Sequence, residues 1–547
     1  MKQKNNKKQI DYLKEINLGL ANIKSSNLKI SENHFKKAIE IDKENHTAYL
    51  NLSNIYILQN KIENALYILS HYLDNFDFNE HIINHLGKIL LKHNFNYKLN
   101  KLFLRYKLED FQLDQKKYFL YFLRGKYFED LDIEKSIKNY EFSISCNRNF
   151  KESYFSLFRI FERLNHLEKF QALFKKIQIN HLSKEDNIKI LFYKSLFLNR
   201  SNKYKESESL IKINNFENYF KNINFYYPKL LDVVSKNNEK LKNYSASFQA
   251  IKKRNIYLKA QSKGKFDRVS LINTIKTYRD FYRVNKINTK IFKKENKSKN
   301  LVFLVGFPRS GTTMLDSILR SHSKTVVLEE KPYLLNIRHN FFKQNNNSLE
   351  SLKHISKENI QQIRNKYFSE IELPRTKKNF TIIDKFPLTI IELGFIKIIF
   401  PEAKIILALR HPCDVVLSCY FSRFQLNEAM INFLSWNDTL NFYNNVFQLF
   451  ETYEKQIELN YYKIKYENII NNFKKEITNL LKFLNLEYEV GLEKFFDTAK
   501  KRKNISTPSY SQVINPLYKT SINRWINFNN YISSESNLEK WIKKFDY

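Results

Sequence analysis

Proline divides this chain in two. Of nine prolines only Pro228 precedes residue 300; the other eight lie between Pro308 and Pro516. Proline inside a helix removes a hydrogen bond and clashes with the preceding turn, so the proline-poor half can run as continuous helices. The three tryptophans, at 436, 525 and 541, also fall in the second half. Two architectures are expected in one chain.

The first half carries a repeat of about 34 residues, the tetratricopeptide period. Its clearest copy is HTAYLNLSNIYILQNKIENALYILSHYLDNFDFN, residues 46–79. Tyr49, Leu52, Ser53 and Tyr56 share one helix face; Ala65, Leu69 and Tyr72 share the next. Small residues such as Ala65 let two helices approach while the large ones fill the gap. Ile83, Leu86, Gly87 and Leu90 continue the pattern, and weaker copies start near Tyr118 (with Ser136, Tyr140 and Ser143) and near Tyr154 (with Leu157 and Phe161). A further helix pair is expected over 188–212. After a basic tail at 1–10, residues 11–235 therefore resemble a tetratricopeptide-like α-solenoid of about five or six repeats, an architecture with a concave binding surface. Residues 236–297 read as a helical connector ending in the exposed run KKENKSKN.

From 298 to 547 short apolar runs, NLVFLVG, TVVLEE, FTIIDK, AKIILAL and YYKIKYE, alternate with longer helical patterns. That alternation predicts a parallel sheet with crossover helices, so the fold class is α followed by α/β.

The first of these runs leads through Gly306-Phe-Pro-Arg-Ser-Gly311-Thr312-Thr313 into an amphipathic helix. Two of only eight glycines stand in this loop, whose backbone N–H groups and helix start can cradle a phosphate. Against the nucleotide-triphosphate pattern GxxxxGK[ST] both glycines match and Thr313 fits the hydroxyl position. Thr312 replaces the lysine, and the cation sits at Arg309 instead. Ordinary ATP or GTP hydrolysis is thereby disfavoured, whereas a phosphate-like anion still suits the loop.

PRSGTT before a helix resembles the 5′-phosphosulfate loop of sulfotransferases that use 3′-phosphoadenosine-5′-phosphosulfate (PAPS), here Arg309, Ser310, Gly311, Thr312 and Thr313. A second hallmark is AKIILALRHPCDVVLSCYFSRF, in which Arg410 ends a strand and Ser418 follows on the next helix. The resemblance assigns both to the donor's 3′-phosphate. It is nearest to the tyrosylprotein type and to bacterial tetratricopeptide-repeat sulfotransferases. It implies that Glu330, second of the pair Glu329-Glu330, is the general base. A hydroxyl must lose a proton as it attacks sulfur, and a positioned carboxylate can accept it. It further implies that Lys385 in TIIDKFP, Ser509 in STPSYSQVINPLYKTSINRW and Arg309 stabilise the transferring group. Tyr466 would contact the adenosine, although in a chain with 34 tyrosines it reads almost equally well as a strand core residue, and Arg524 would be a donor-binding cation, with Gln512, Pro516 and Trp525 keeping the expected spacing. Two positions depart from the tyrosylprotein pattern: Lys331-Pro332 follows the glutamate pair in place of Thr-Arg, and Ser422 stands where an arginine is expected, with Arg423 adjacent.

The expected reaction is transfer of a sulfuryl group from PAPS to a hydroxyl acceptor, a protein tyrosine or a glycan among the candidates, with the repeats gripping a protein or polymer. Alternatives are a P-loop small-molecule kinase and a non-catalytic repeat scaffold. The charge of +36, from 92 Lys+Arg against 56 Asp+Glu, is spread over helix faces and accompanied by abundant neutral Asn. It reads as compositional, with no specific nucleic acid as partner. No histidine–cysteine cluster suggests a metal. Cys413 and Cys419 read as buried thiols. With no apolar run long enough for a membrane span, a soluble, cytoplasmic location is expected.

Overall fold

This computed structural model describes residues 2–76, 78–111, 113–177, 182–285, 300–328, 330–371, 373, 380–501, 521–532 and 535–547. The chain forms two compact units, Met1–Lys189 and Ile190–Tyr547.

The first unit is built of helical hairpins, Lys2–Lys24 with Leu28–Ile41, His46–Leu58 with Ile62–Asn75, Glu80–Lys92 with Asn96–Arg105, Tyr118–Phe128 with Ile133–Cys146, and Lys151–Arg163 with Leu167–Lys176. The second helices of the first three start 34 residues apart, at Leu28, Ile62 and Asn96. Several hairpins turn on one left-handed residue, Asn60, Asn94 or Asn165, followed by a bond back across the turn, such as Lys61 N to Tyr56 O at 2.7 Å. Asparagine tolerates that conformation better than most residues, which ends the first helix at a fixed point. In the 46–79 copy all the residues expected on the two contact faces are buried. Close helix approach uses a device seen twice. Ser31 Oγ donates to Gly19 O, and Ser136 Oγ to Gly125 O, each at 2.8 Å. A methyl on either glycine would lie 2.6 Å from the ring of Phe35 or Tyr140.

The second unit opens within the helix Lys184–Arg200, first of the pair expected near 188–212. Tyr204–Ile213 packs on the helix Lys184–Arg200, with Ser207 Oγ donating to Ser195 O at 2.8 Å. The helices Tyr226–Lys240, Tyr244–Gln261 and Arg268–Val284 follow. They are not a free-standing connector: Phe248, Ile251, Ile272 and Ile275 belong to the same apolar core as the sheet. Arg254, 1 % exposed, donates to the carbonyls of Tyr420 and Phe421 at 2.9 and 2.8 Å. A charge so deeply buried is tolerated because these carbonyls and Asp232 satisfy it.

Five strands, β1 (Leu301–Gly306), β2 (Thr325–Leu328), β3 (Thr381–Lys385), β4 (Lys404–Leu409) and β5 (Tyr461–Lys465), form one parallel sheet in the order β2-β3-β1-β4-β5. Each lies within one of the apolar runs expected from the sequence. Side chains alternate between two cores: Phe303, Val305, Ile405 and Leu407 on one face, Val302, Leu304, Ile406 and Ala408 on the other. Burial on both faces suits the apolar character of β1, β3 and β4, whereas the edge strand β5 is only partly buried and leaves Lys463 exposed. The central neighbours β1 and β4 lead to strands at opposite edges, which opens a crevice beyond their carboxyl ends.

Candidate active site

The crevice begins where β1 ends. Gly306 must be glycine because a Cβ there would stand 2.6 Å from Ala408 O on β4. The loop then turns through two left-handed residues, Arg309 at φ 73° and Gly311 at φ 90°. An arginine in that region is strained, and the strain aims its carbonyl and side chain into the crevice. Ser310 N bonds back to Phe307 O at 3.2 Å, and the buried Cys419 thiol donates to Pro308 O at 3.2 Å. The helix Thr312–Arg320 follows directly, with Gly311 as its N-cap residue.

Residues separated by a hundred positions meet on this loop. Arg309 Nε donates to Ser418 Oγ at 3.0 Å, from the helix Pro412–Phe421. Arg410, at the end of β4 and 7 % exposed, reaches Arg309 O from Nη1 at 3.4 Å and also donates to Ser521 O. Its guanidinium lies 5.2 Å from the centre of the Tyr466 ring, while Arg410 Nε is buried with no hydrogen-bond partner among the described residues. Tyr466 in turn closes over the loop, its ring 2.9 Å from where a Cβ on Gly311 would be. The carboxylate of Asp414 accepts from Asn523 N and Trp525 N, both at 2.9 Å, pinning the carboxy-terminal segment beside Arg410.

A second group gathers at the ends of β2 and β3. Lys385, 2 % exposed, donates to the exposed carboxylate of Glu330 and stands 3.4 Å from Asp316 Oδ2. Asp316, fully buried in the loop's helix, also accepts from Arg320 Nε at 2.9 Å. The preceding residue, Asp384, accepts from the Tyr367 hydroxyl at 2.7 Å. Burial pushes its carboxyl up to about 6, against the lowering effect of that hydrogen bond.

Not every expected residue joins. Arg524 forms a two-pronged ion pair with Glu239, at 2.6 and 2.7 Å, with its guanidinium over Phe421 and Phe528. Its charge is committed there. Burial acts to raise the Glu239 carboxyl, but Arg524 more than offsets it and holds the group below its ordinary range. Arg423 pairs with Asp232 at 3.0 Å and not with the loop. Glu329, Ser509, Gln512 and Pro516 lie outside the described residues. Asp316 was not singled out by sequence: in TTMLDSILR it reads as one polar position of an amphipathic helix.

The sum is a loop of backbone N–H groups flanked by Arg309 and Arg410, with Lys385 joining Asp316 of the loop's helix to the Glu330 carboxylate. Such a site can hold a polyanion and assist proton removal from a nucleophile. Among the described residues no group of three His, Cys, Asp or Glu side chains is placed to hold a metal ion, and no helix is long and apolar enough to cross a membrane.

Residues 302–490 match the sulfotransferase family. An uncharacterized protein of Aquifex aeolicus (strain VF5) is 24 % identical over 319 residues, covering 55 % of this chain and 40 % of that protein. Protein-tyrosine sulfotransferase A of Caenorhabditis elegans is 23 % identical over 243 residues, covering 42 % of this chain and 62 % of that enzyme. The chain thus spans less than two thirds of the length of either relative. Among solved structures, the sulfotransferase domain of the Synechococcus PCC 7002 olefin synthase aligns at a TM-score of 0.32 and 21 % identity, over 47 % of this chain and 98 % of that domain.

Proposed function

We propose that the second unit transfers a sulfuryl group from PAPS to a hydroxyl acceptor, and that the helical repeats at 11–235 serve to bind a protein or polymer that carries it. The observation that carries this reading is the meeting of Arg309, Ser418 and Arg410 at the ends of β1 and β4. Two anion-binding elements far apart in sequence share one cleft, as a bis-phosphorylated adenosine requires. The donor supplies a sulfuryl group activated by its anhydride link to phosphate.

The chain's own groups divide the remaining work. Residues Arg309 to Thr313 offer N–H and hydroxyl donors to the 5′-phosphate, and Arg410 and Ser418 hold the 3′-phosphate. The unpartnered, buried Arg410 Nε suits this role, since an arriving oxygen would satisfy it. The Tyr466 ring, half-buried between Gly311 and Arg410, offers a face to the adenine. Glu330 accepts the proton of the acceptor hydroxyl. Lys385, already beside Glu330, follows the negative charge that grows on the leaving phosphate, together with Arg309 and Ser509. The enzyme named for protein tyrosine among the relatives favours a phenolic hydroxyl as acceptor.

Calorimetric titration tests the donor: adenosine 3′,5′-bisphosphate binds without metal, and ATP with Mg²⁺ binds far more weakly. Tight ATP binding with none for the bisphosphate would replace this reading with that of a kinase. Mass spectrometry of acceptor pools incubated with PAPS should reveal the gain of one sulfuryl group.

A further inference from the structure

We infer that Asp316 is a positioning residue that holds the Lys385 ammonium in the catalytic cleft; this rests on the sulfuryl-transfer reading above. Arg320, Asp316, Lys385 and Glu330 form a chain of alternating charge running from the loop's helix to the mouth of the cleft. The two carboxylates on Lys385 differ in kind. Glu330 keeps a third of its side-chain surface in solvent, whereas Asp316 has none. Glu330 is also the group proposed to take the acceptor's proton, and its attraction for Lys385 ends when it does. Asp316 takes no part in that proton transfer and lies between two cations, Lys385 and Arg320.

A lysine has four rotatable bonds and a point charge, so one anchor at 3.4 Å decides where its ammonium stays once Glu330 is neutralised. Asp316 sits one turn into the helix that starts at Thr312, so the anchor and the loop belong to one continuous element. The same helix therefore fixes both the anion cradle and the cation that serves the leaving group.

The test uses the full chain and four proteins: wild type, Asp316→Asn, Lys385→Met and the double variant. Asp316→Asn should lower kcat about 10- to 100-fold while KM for PAPS changes by less than about threefold, because the charge Lys385 serves grows on the leaving phosphate only as its bond to sulfur breaks. In the Lys385→Met background the same substitution should change kcat by less than about twofold, since a residue acting through another has nothing left to act on. Unchanged kcat in Asp316→Asn, or an equal loss in both backgrounds, would overturn the assignment. A cooperative urea transition shows that the variant has folded. If Asp316→Asn lacks that transition, Arg320→Gln replaces it: kcat should fall with the KM for PAPS kept, and unchanged kcat there overturns the proposal. Failure of the wild type itself to bind the bisphosphate would instead refute sulfuryl transfer.

Discussion

Arg309 Nε donates to Ser418 Oγ at 3.0 Å, a bond between the first loop of the sheet and a helix more than a hundred residues later. Because each partner also faces the proposed donor, neither can be changed alone without disturbing the other. Ser418→Ala should weaken adenosine 3′,5′-bisphosphate binding by roughly 1.5–3 kcal/mol, the range for a hydrogen bond to a charged group. Arg309→Lys should cost at least as much, since lysine cannot copy the planar fork. The double variant should lose less than the sum, by about 0.5–1 kcal/mol or more, as directly bonded residues do. Strict additivity in calorimetry would show that the bond is not part of the bound state.

Gly311 meets two constraints at once, a left-handed φ of 90° and the Tyr466 ring. Gly311→Ala should cost about 1–3 kcal/mol from the backbone alone, with more from the 2.9 Å contact. Adding Tyr466→Ala should recover only the contact part. Full recovery of stability in urea titrations would mean that the backbone conformation is not strained.

Much of this was legible in advance, and the exceptions have physical causes. All five strands were visible as runs rich in apolar residues, the inner three because both faces are buried, but their order was not, since Val302 and Ile406 look alike wherever they pair. The loop from Gly306 to Thr313 could be read because glycine and arginine at those positions have few other uses. Tyr466 could be read either as core or as a donor contact; its ring, half-buried between Gly311 and Arg410, has features of both. Arg524 kept the spacing of a donor-binding cation, yet its partner Glu239 lies 285 residues earlier, a distance no local pattern reports. Asp316 escaped notice for the same reason, because only the fold brings Lys385 to it.

The Arg524–Glu239 pair predicts a separation of stability from binding. Arg524→Met leaves a largely buried carboxylate unpaired, so the variant should lose about 3–5 kcal/mol of stability near pH 7. The Glu239 carboxyl is held below its ordinary value of 4.5, so the pair's contribution is present above that pH and disappears as pH falls through the lower folded value. The cost of the substitution should therefore shrink in acid. Bisphosphate affinity should stay within a few-fold. A loss beyond tenfold with stability unchanged would return Arg524 to the donor site.

Asp384 behaves in the opposite sense. Its carboxyl is pushed up to about 6 by burial, from 3.8, so the folded state holds a proton that the unfolded state releases. Stability from this group is greatest in acid and falls as pH rises from about 4 to about 6, with the full penalty above. Asp384→Asn keeps an acceptor for the Tyr367 hydroxyl and removes the buried charge. It should raise stability at pH 8 by on the order of 2–3 kcal/mol and by little at pH 4. A gain independent of pH would point to packing instead.

The hairpins of the first unit make a prediction in which the usual sign reverses. At an exposed site within a helix, glycine to alanine stabilises by roughly 1 kcal/mol, because alanine loses less backbone entropy. Gly125 is buried, and its missing side chain is the space into which Tyr140 packs, 2.6 Å from the position of a Cβ. Tyr140 cannot retreat cheaply: it is itself fully buried and its hydroxyl donates to Glu129. Gly125→Ala should therefore destabilise the first unit by about 1–3 kcal/mol, the usual cost of overpacking. Ser136→Ala, on the facing helix, should cost about 1 kcal/mol, since Gly125 O loses only the hydroxyl at 2.8 Å. The two effects should not add, because both act on the same contact between helices. Urea titration of each variant and of the pair decides it, and a stabilised Gly125→Ala would show that the two helices do not approach as closely as the Gly125–Tyr140 contact requires.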